Sequence, residues 1–139
     1  MILIDTGALY ALTDRHDKNH QHATTLYRKF LGRETLGLSL PVLTESWLLI
    51  EARLGRAPAH RLWQAVLGGA FDLLEVGSAE LQLALEIETK YADVGFGLVD
   101  AICFALCERH KIEKVFTYDQ KHFSIYRPTF VSTLNLLRE

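Results

Sequence analysis

Residues 1–12, MILIDTGALYAL, contain the pattern that decides the fold: a short apolar run, an aspartate and the start of a helix. The apolar run at residues 1–4 predicts a strand that is buried on both faces. Asp5 ends this strand, and residues 6–12 have the composition of a helix. A buried strand that leads directly into a helix is typical of α/β proteins with a parallel sheet.

The alternation of strands and helices continues along the whole chain. Further strands are predicted at residues 36–40, 71–76, 115–118 and 126–130. Helices are predicted at residues 20–30, 41–54, 58–67, 81–91 (capped by Ser78), 98–110 and 120–123. The helices at 41–54 and 58–67 are separated by Gly55 and are expected to form a hairpin. This order predicts a parallel sheet with helices on both faces, in a single domain over residues 1–139.

Composition excludes several classes of protein. With 49% hydrophobic and 23% charged residues, the chain is globular rather than disordered. Its net charge of −2 excludes a strongly basic nucleic-acid binder, so contact with nucleic acid must come from local basic patches or from metal ions. Cys103 and Cys107 are poorly spaced for a disulfide, which indicates a reducing compartment. No signal peptide or membrane span is expected, and the predicted location is the cytoplasm.

Four acidic residues occupy positions where α/β proteins bind ligands. Asp5 and Asp119 follow strands, and ligands sit beyond the carboxyl ends of parallel strands. Asp100 and Glu45 lie near helix starts in the apolar segments GFGLVDAICFAL (95–106) and PVLTESWLLI (41–50). Each acid taken alone could simply cap a helix or favour its positive end. Together, however, the four converge on one edge of the predicted sheet.

A cluster of four carboxylates repels itself unless a cation binds to it. Oxygen ligands suit hard divalent cations, and Mg²⁺ or Mn²⁺ fit this set. Such a metal can activate water and neutralise charge on a phosphate, which is the chemistry of phosphodiester hydrolysis. The acids therefore predict a metal-dependent hydrolase of nucleic acid.

The chain resembles the PIN-domain family, and most closely the VapC-type toxins of bacterial toxin–antitoxin systems. The resemblance depends on four segments in the family's order: ILIDTGALYAL (2–12), LTE (43–45), LVDAICFALCERH (98–110) and FTYDQKHF (116–123). It implies an α/β fold of three layers, α/β/α, with a small central parallel sheet. It also implies a divalent-metal-dependent endoribonuclease that acts as the toxin of a type II toxin–antitoxin pair, with an RNA substrate, a cognate antitoxin and a homodimeric state.

The resemblance also assigns roles to individual residues. It implies that Asp5, Glu45, Asp100 and Asp119 are the catalytic, metal-binding acids, with Mg²⁺ or Mn²⁺ as cofactor. Thr6 and Thr117 match hydroxyl residues that support the acids or a metal-bound water. Asp93 is a possible fifth acid, although a solvated loop position is expected for it. One departure from the family is the absence of a hydroxyl residue just before Asp100. The helical hairpin is expected to help form the groove that the antitoxin fills.

Other interpretations remain open at this stage. The chain could be a catalytically silent PIN module that only binds RNA or protein. The Asp5-Thr6-Gly7 triplet also matches the D-T-G of aspartic proteases, which have an all-β body. His16, His20 and His22 could form a transition-metal site, but surface positions are expected for them. His122 is expected to be a solvated residue of a helix end, near enough to Asp119 to contact RNA.

Overall fold

The structure is a computed structural model, and it describes residues 1–137; the last two residues of the predicted domain lie outside the described residues. Within this part of the chain, five strands form one sheet: β1 (Ile2–Ile4), β2 (Leu36–Ser39), β3 (Asp72–Leu74), β4 (Lys114–Phe116) and β5 (Asn135–Leu136). The helices that flank it are α1 (Thr6–Thr13), α2 (His20–Phe30), α3 (Leu40–Leu54), α4 (Arg56–Leu67), α5 (Ser78–Lys90), α6 (Leu98–His110) and α7 (Gln120–Ile125). The predicted α/β/α fold with a central parallel sheet is confirmed.

The order in which strands are added to the sheet reverses at β1. Its strand order is β3-β2-β1-β4-β5, and every pairing is parallel. The chain moves outward from β1 to β3, then returns to place β4 on the other side of β1, with Ile4 opposite Phe116. In open α/β sheets, such a reversal leaves a crevice beyond the carboxyl ends of the two strands. Residues that directly follow β1 and β4 therefore share this crevice.

The core is built around β1 and α6. All three residues of β1 are buried, and so are seven consecutive residues of α6, Ala101 to Cys107. The all-round apolar character of α6 indicated a buried helix, and this expectation is confirmed. Phe104 stacks on Tyr126 with ring centroids 4.4 Å apart and contacts Phe123 edge-on at 4.8 Å. This aromatic packing holds α6 against α7 and the segment that follows it.

Two helices begin earlier than the sequence indicates. The fourth helix starts at Arg56 rather than Pro58, because Gly55 adopts a φ of 101° and reverses the chain directly between α3 and α4. Pro58 then lies in the first turn, where its missing N–H group costs nothing. The cap of α5 is Gly77, not Ser78, and its N–H group donates to the Glu80 carboxylate at 2.7 Å. The predicted hairpin of α3 and α4 is present.

The strand predicted at residues 126–130 is wrong. Pro128 has no N–H group to donate to a sheet, and the groups around it bond to the side chain of Glu108 instead. Tyr126 donates its hydroxyl to Glu108, and the backbone N–H of Thr129 donates to the same carboxylate at 2.8 Å. The last strand, β5, forms later and pairs with β4.

The fold also bears on two broader expectations. A parallel α/β sheet excludes the aspartic-protease interpretation of the D-T-G triplet, because that enzyme class has an all-β body. Across residues 1–137, none of the helices combines the length and the apolar character needed to cross a bilayer.

Candidate active site

Asp5 directly follows β1, the central strand of the sheet, and is only 7% exposed. It is the N-cap of α1, where its Oδ1 accepts the backbone N–H of Ala8 at 3.0 Å, and its Oδ2 accepts the hydroxyl of Thr117. Burial raises the pKa of Asp5 from 3.8 to about 6, despite these two hydrogen bonds, and the negative charges of Asp100 and Asp119 add to the rise. A buried carboxylate that faces other carboxylates is poised for a cation.

Thr117 connects the ends of the two central strands. Its hydroxyl donates to Asp5, after β1, and accepts the backbone N–H of Asp119, after β4, at 2.9 Å. The side chain is fully buried, so both bonds are shielded from water. Asp119 in turn caps α7, because its Oδ1 accepts the backbone N–H of His122 at 3.0 Å. The helix-capping interpretation of Asp5 and Asp119 is therefore compatible with their place in the crevice.

Asp100 approaches the crevice from the first turn of α6. Gly97, the N-cap of this helix, has a φ of 84° that favours glycine, and this turn directs α6 toward the sheet edge. Burial raises the pKa of Asp100 above its usual 3.8, and the charges of Asp119 and Glu45 raise it further. The structure thus places Asp5, Asp100 and Asp119 near enough for the charges of Asp100 and Asp119 to act on Asp5.

His122 was expected to be a solvated helix-end residue near Asp119, and the sequence did not indicate its contact with Asp100. It is not a solvated helix end: its Nδ1 lies 3.0 Å from Oδ2 of Asp100 and 3.2 Å from Oδ2 of Asp119. Phe96 packs edge-on against its ring, at 5.6 Å between centroids. One ligand atom each from Asp100, Asp119 and His122 lie within 4.8 Å of one another, close enough to share a cation. The i,i+3 spacing already places His122 near Asp119, whereas the contact with Asp100 joins two helices.

Glu45 and Thr6 lie at the margin of this cluster. Glu45 is exposed on α3, outside the Asp100–Asp119–His122 group, but its charge acts on Asp100. The buried hydroxyl of Thr6 has no hydrogen-bond partner within residues 1–137. A buried polar atom without a partner costs free energy, so this hydroxyl fits a site that a water or a metal completes. Asp93 is exposed, as expected for a loop aspartate.

The remaining candidate ligands serve other purposes. His20 Nδ1 bonds to the carbonyl of Ala11 at 2.7 Å, and His22 Nδ1 bonds to the hydroxyl of Tyr118 at 2.7 Å. Neither belongs to the metal-ligand group found among the described residues. Cys103 and Cys107 are core residues, and burial raises the pKa of the Cys107 thiol to about 12, so a thiolate ligand is disfavoured.

The arrangement supports one kind of chemistry. Its donors are carboxylate oxygens with one imidazole nitrogen, a set that suits a divalent cation. The carboxylates are partly shielded from water and repel one another, so binding of a cation relieves both costs. A cation held here at the sheet edge would meet a substrate that enters the crevice.

Comparison with known proteins adds independent information. Residues 2–128 match the sequence model of the PIN domain. The chain is 32% identical over 127 residues to ribonuclease VapC26 of Mycobacterium tuberculosis. The aligned segment covers 91% of this chain and 93% of that protein.

Solved structures show the same fold. The crystal structure of Mycobacterium tuberculosis VapC20, a sarcin-ricin loop cleaving toxin, superposes with a TM-score of 0.80 at 23% identity, over 87% of this chain and 92% of that one. A toxin–antitoxin complex from Klebsiella pneumoniae superposes with a TM-score of 0.68 at 19% identity, over 90% and 92% of the two chains.

Proposed function

This chain belongs to the PIN-domain family, and on that premise we propose that it is a divalent-metal-dependent endoribonuclease, the toxin of a type II toxin–antitoxin pair. The observation that supports the proposal is the group of Asp100, Asp119 and His122, whose ligand atoms lie within 4.8 Å of one another, beside the buried Asp5. The similarity to a VapC ribonuclease over nearly the whole chain gives the reaction class.

The residues present fit a divalent metal. Asp5, Asp100 and Asp119 would hold it, with Glu45 at the exposed side and His122 as a nitrogen donor. The buried hydroxyl of Thr6, which lacks a partner in the described chain, marks a place where a polar group is missing. When bound, Mg²⁺ or Mn²⁺ would lower the pKa of water and neutralise charge on the scissile phosphate.

The protein's own residues position this chemistry. The Thr117 hydroxyl bonds to both the Asp5 carboxylate and the backbone N–H of Asp119, so it fixes the ends of β1 and β4 relative to each other. The Nδ1 atom of His122 lies 3.0 Å from Oδ2 of Asp100 and 3.2 Å from Oδ2 of Asp119, at the point where the three side chains would share a cation. Because burial and mutual repulsion already disfavour the charged form of Asp5, the site is prepared to exchange a proton for a cation.

A large apolar groove beside Glu45 fits the proposed antitoxin. The groove has a volume of about 940 Å³ and lies between α3, β3 and the starts of α5 and α6. A contiguous exposed apolar patch is typical of an interaction site. The exposed leucines of this groove are Leu40, Leu48, Leu73, Leu81 and Leu98. We propose that an apolar segment of the antitoxin fills this groove and blocks access to the acids. A homodimer and action in the cytoplasm are part of the same proposal.

RNA cleavage by purified protein tests the function. Wild type should cleave with Mg²⁺ or Mn²⁺ and lose all cleavage with EDTA, on a panel of structured and unstructured RNAs. Asp100→Asn should lower the rate by about 100-fold or more, because removing one charge from a metal site removes stabilisation of the transition state. Asp93→Asn is the matched control: it removes the same charge from an exposed loop seven residues away and should cleave normally.

The alternative, a silent module that only binds RNA or protein, makes a different prediction. It would cleave no RNA under any of these conditions and would bind no Mn²⁺ in calorimetry. Normal cleavage by Asp100→Asn would show that the acids are assigned wrongly.

A further inference from the structure

A polar groove of about 530 Å³ runs along α2. It is lined by Lys18, Gln21, His22, Thr25, Leu26 and Lys29. Positions 22, 25 and 29 recur every three or four residues of α2, so they form a stripe on one side of the helix, and Lys18 lies in the turn before it. With a rise of 1.5 Å per residue, the stripe from 22 to 29 is roughly 10 Å long and ends at Lys29.

The groove has two lysines in its lining. Lys18 and Lys29 are exposed, and neither takes part in an ion pair found within residues 1–137. By contrast, Lys114 is paired with a glutamate. No carboxylate lines the groove. The nearest acid along the chain, Asp17, accepts the backbone N–H of Asn19 at 2.9 Å in the turn before α2.

One pair of side chains joins the groove to the acid cluster. The Nδ1 atom of His22, in the groove, lies 2.7 Å from the hydroxyl of Tyr118, and the two rings meet edge-on at 5.6 Å. Tyr118 lies between Thr117 and Asp119, and burial raises the pKa of its hydroxyl, with the charges of Asp17 and Asp5 adding to the rise. The groove therefore ends at the crevice that holds the acids.

We propose that this groove binds the phosphate backbone of the RNA strand and leads it to the acid cluster, an inference that rests on the proposed function. A chain of net charge −2 needs a local cationic surface to hold a polyanion. The apolar groove beside Glu45 does not provide one, since it is lined by Glu45 and Glu75 and by no cation.

The salt dependence of RNA binding tests this inference. Binding of a short fluorescein-labelled random-sequence RNA is measured over a range of KCl concentrations with Mn²⁺, in the Asp100→Asn background so that the probe stays intact. Lys18→Ala/Lys29→Ala should weaken binding about tenfold and lower the slope of log K against log salt by about 1.4, since each contact to single-stranded phosphate contributes about 0.7. Lys18→Arg/Lys29→Arg should restore the slope.

Arg28→Ala/Arg33→Ala is the matched control. It removes the same two charges from exposed positions that do not line the groove, one of them on α2 itself. Its affinity and slope should stay near those of the parent, and thermal melting should show both double variants folded.

Each result decides something. An unchanged slope in the lysine variant, or an equal loss in the arginine control, would overturn the groove assignment. Cleavage by wild-type protein would then leave the proposed function standing. If wild type neither cleaves nor binds any RNA, the proposed function fails, and this inference fails with it.

Discussion

Asp5 is where the demands of folding and of metal binding conflict most directly. Its side chain caps α1 and accepts two hydrogen bonds, which stabilises the local structure. Its charge, however, is buried beside two other acids, and this raises its pKa to about 6. Without metal, the ionised form of Asp5 therefore lowers the stability of the fold.

This conflict predicts a pH-dependent effect of Asp5→Asn. The pKa of Asp5 is higher in the folded chain than its ordinary 3.8, so its contribution to the free energy of unfolding is present below about pH 4 and is lost as the pH rises to about 6. Asparagine keeps the acceptor for Ala8 without the charge. In EDTA, the variant should be similar to wild type at pH 4 and more stable at pH 7, by about 3 kcal/mol at most.

Urea unfolding at several pH values measures this difference. Asp93→Asn, an exposed substitution of the same kind, should show no such divergence from wild type. A stability difference that stays constant from pH 4 to pH 7 would contradict the assignment of the raised pKa to Asp5.

His122 is the second residue whose role can be measured. Its Nδ1 touches both Asp100 and Asp119, so His122→Asn should weaken Mn²⁺ binding about 10- to 100-fold. Mg²⁺ binding should fall less, because imidazole nitrogen favours the softer ion. Calorimetry with each metal gives the ratio, and nitrogen coupling in the electron paramagnetic resonance of bound Mn²⁺ tests direct ligation. His110→Asn, at the far end of α6, is the control; equal metal affinities in both variants would exclude a role for His122.

At the scale of single residues, a site residue could be predicted when its signal lay within a few neighbouring residues, but not when it depended on a contact between residues far apart in the sequence. Asp5 and Asp119 were identified as crevice acids because strand ends are visible locally. The contact between His122 and Asp100 spans 22 residues and two helices, and no local pattern contains it. Thr117 was expected to support the acids through the family resemblance, but its bridging of both strands is a property of the fold.

At the scale of elements, the first turn of α6 carries Asp100 to the acid cluster. Its boundaries, Leu98–His110, were predicted from the apolar segment and the glycines before it. Gly97 precedes the helix with a φ of 84°, and nothing lies within 4 Å of the position that a Cβ atom would take there. Its requirement for glycine is therefore conformational rather than steric.

This geometry predicts opposite effects at two glycines. Gly97→Ala should destabilise the protein by about 1–2 kcal/mol, because a left-handed backbone is strained with a side chain. Gly7→Ala should stabilise it by up to about 1 kcal/mol, because Gly7 lies inside α1 and its new Cβ would meet only Asp5 Oδ1 at 3.9 Å. Thermal unfolding of both variants in EDTA checks the pair; a loss of stability at Gly7 as large as at Gly97 would refute the conformational explanation.

At the scale of the whole molecule, metal binding and global stability are coupled. A cation that binds only the folded state stabilises it by about 2.7 kcal/mol at a concentration of 100 times its dissociation constant. Mn²⁺ should therefore raise the melting temperature of wild type by several degrees, and EDTA should reverse the shift. Asp100→Asn should show little of this shift, while Asp93→Asn should show all of it. An equal shift in Asp100→Asn would indicate that Mn²⁺ binds elsewhere.

The local pattern of residues was sufficient to predict the class of the fold and most of its elements. Strand and helix periodicities, caps and glycines act over a few residues, so α2 and α6 could be predicted to their end residues. The failure at residues 126–130 has the same origin: the groups there bond to Glu108, some 20 positions earlier, and local periodicity does not register such a contact.

Three-dimensional packing was needed for everything that joins distant segments. The placement of β4 beside β1 depends on which faces bury best together, and it creates the crevice in which Asp5 and Asp119 meet. The same packing directs Asp100 and His122 to one point and brings α2 to Tyr118. Acids at strand ends and helix starts can be recognised along the chain, because each position is local. The distances between these acids, their burial and the repulsion between their charges arise only when β2 and β4 pair with β1 on either side.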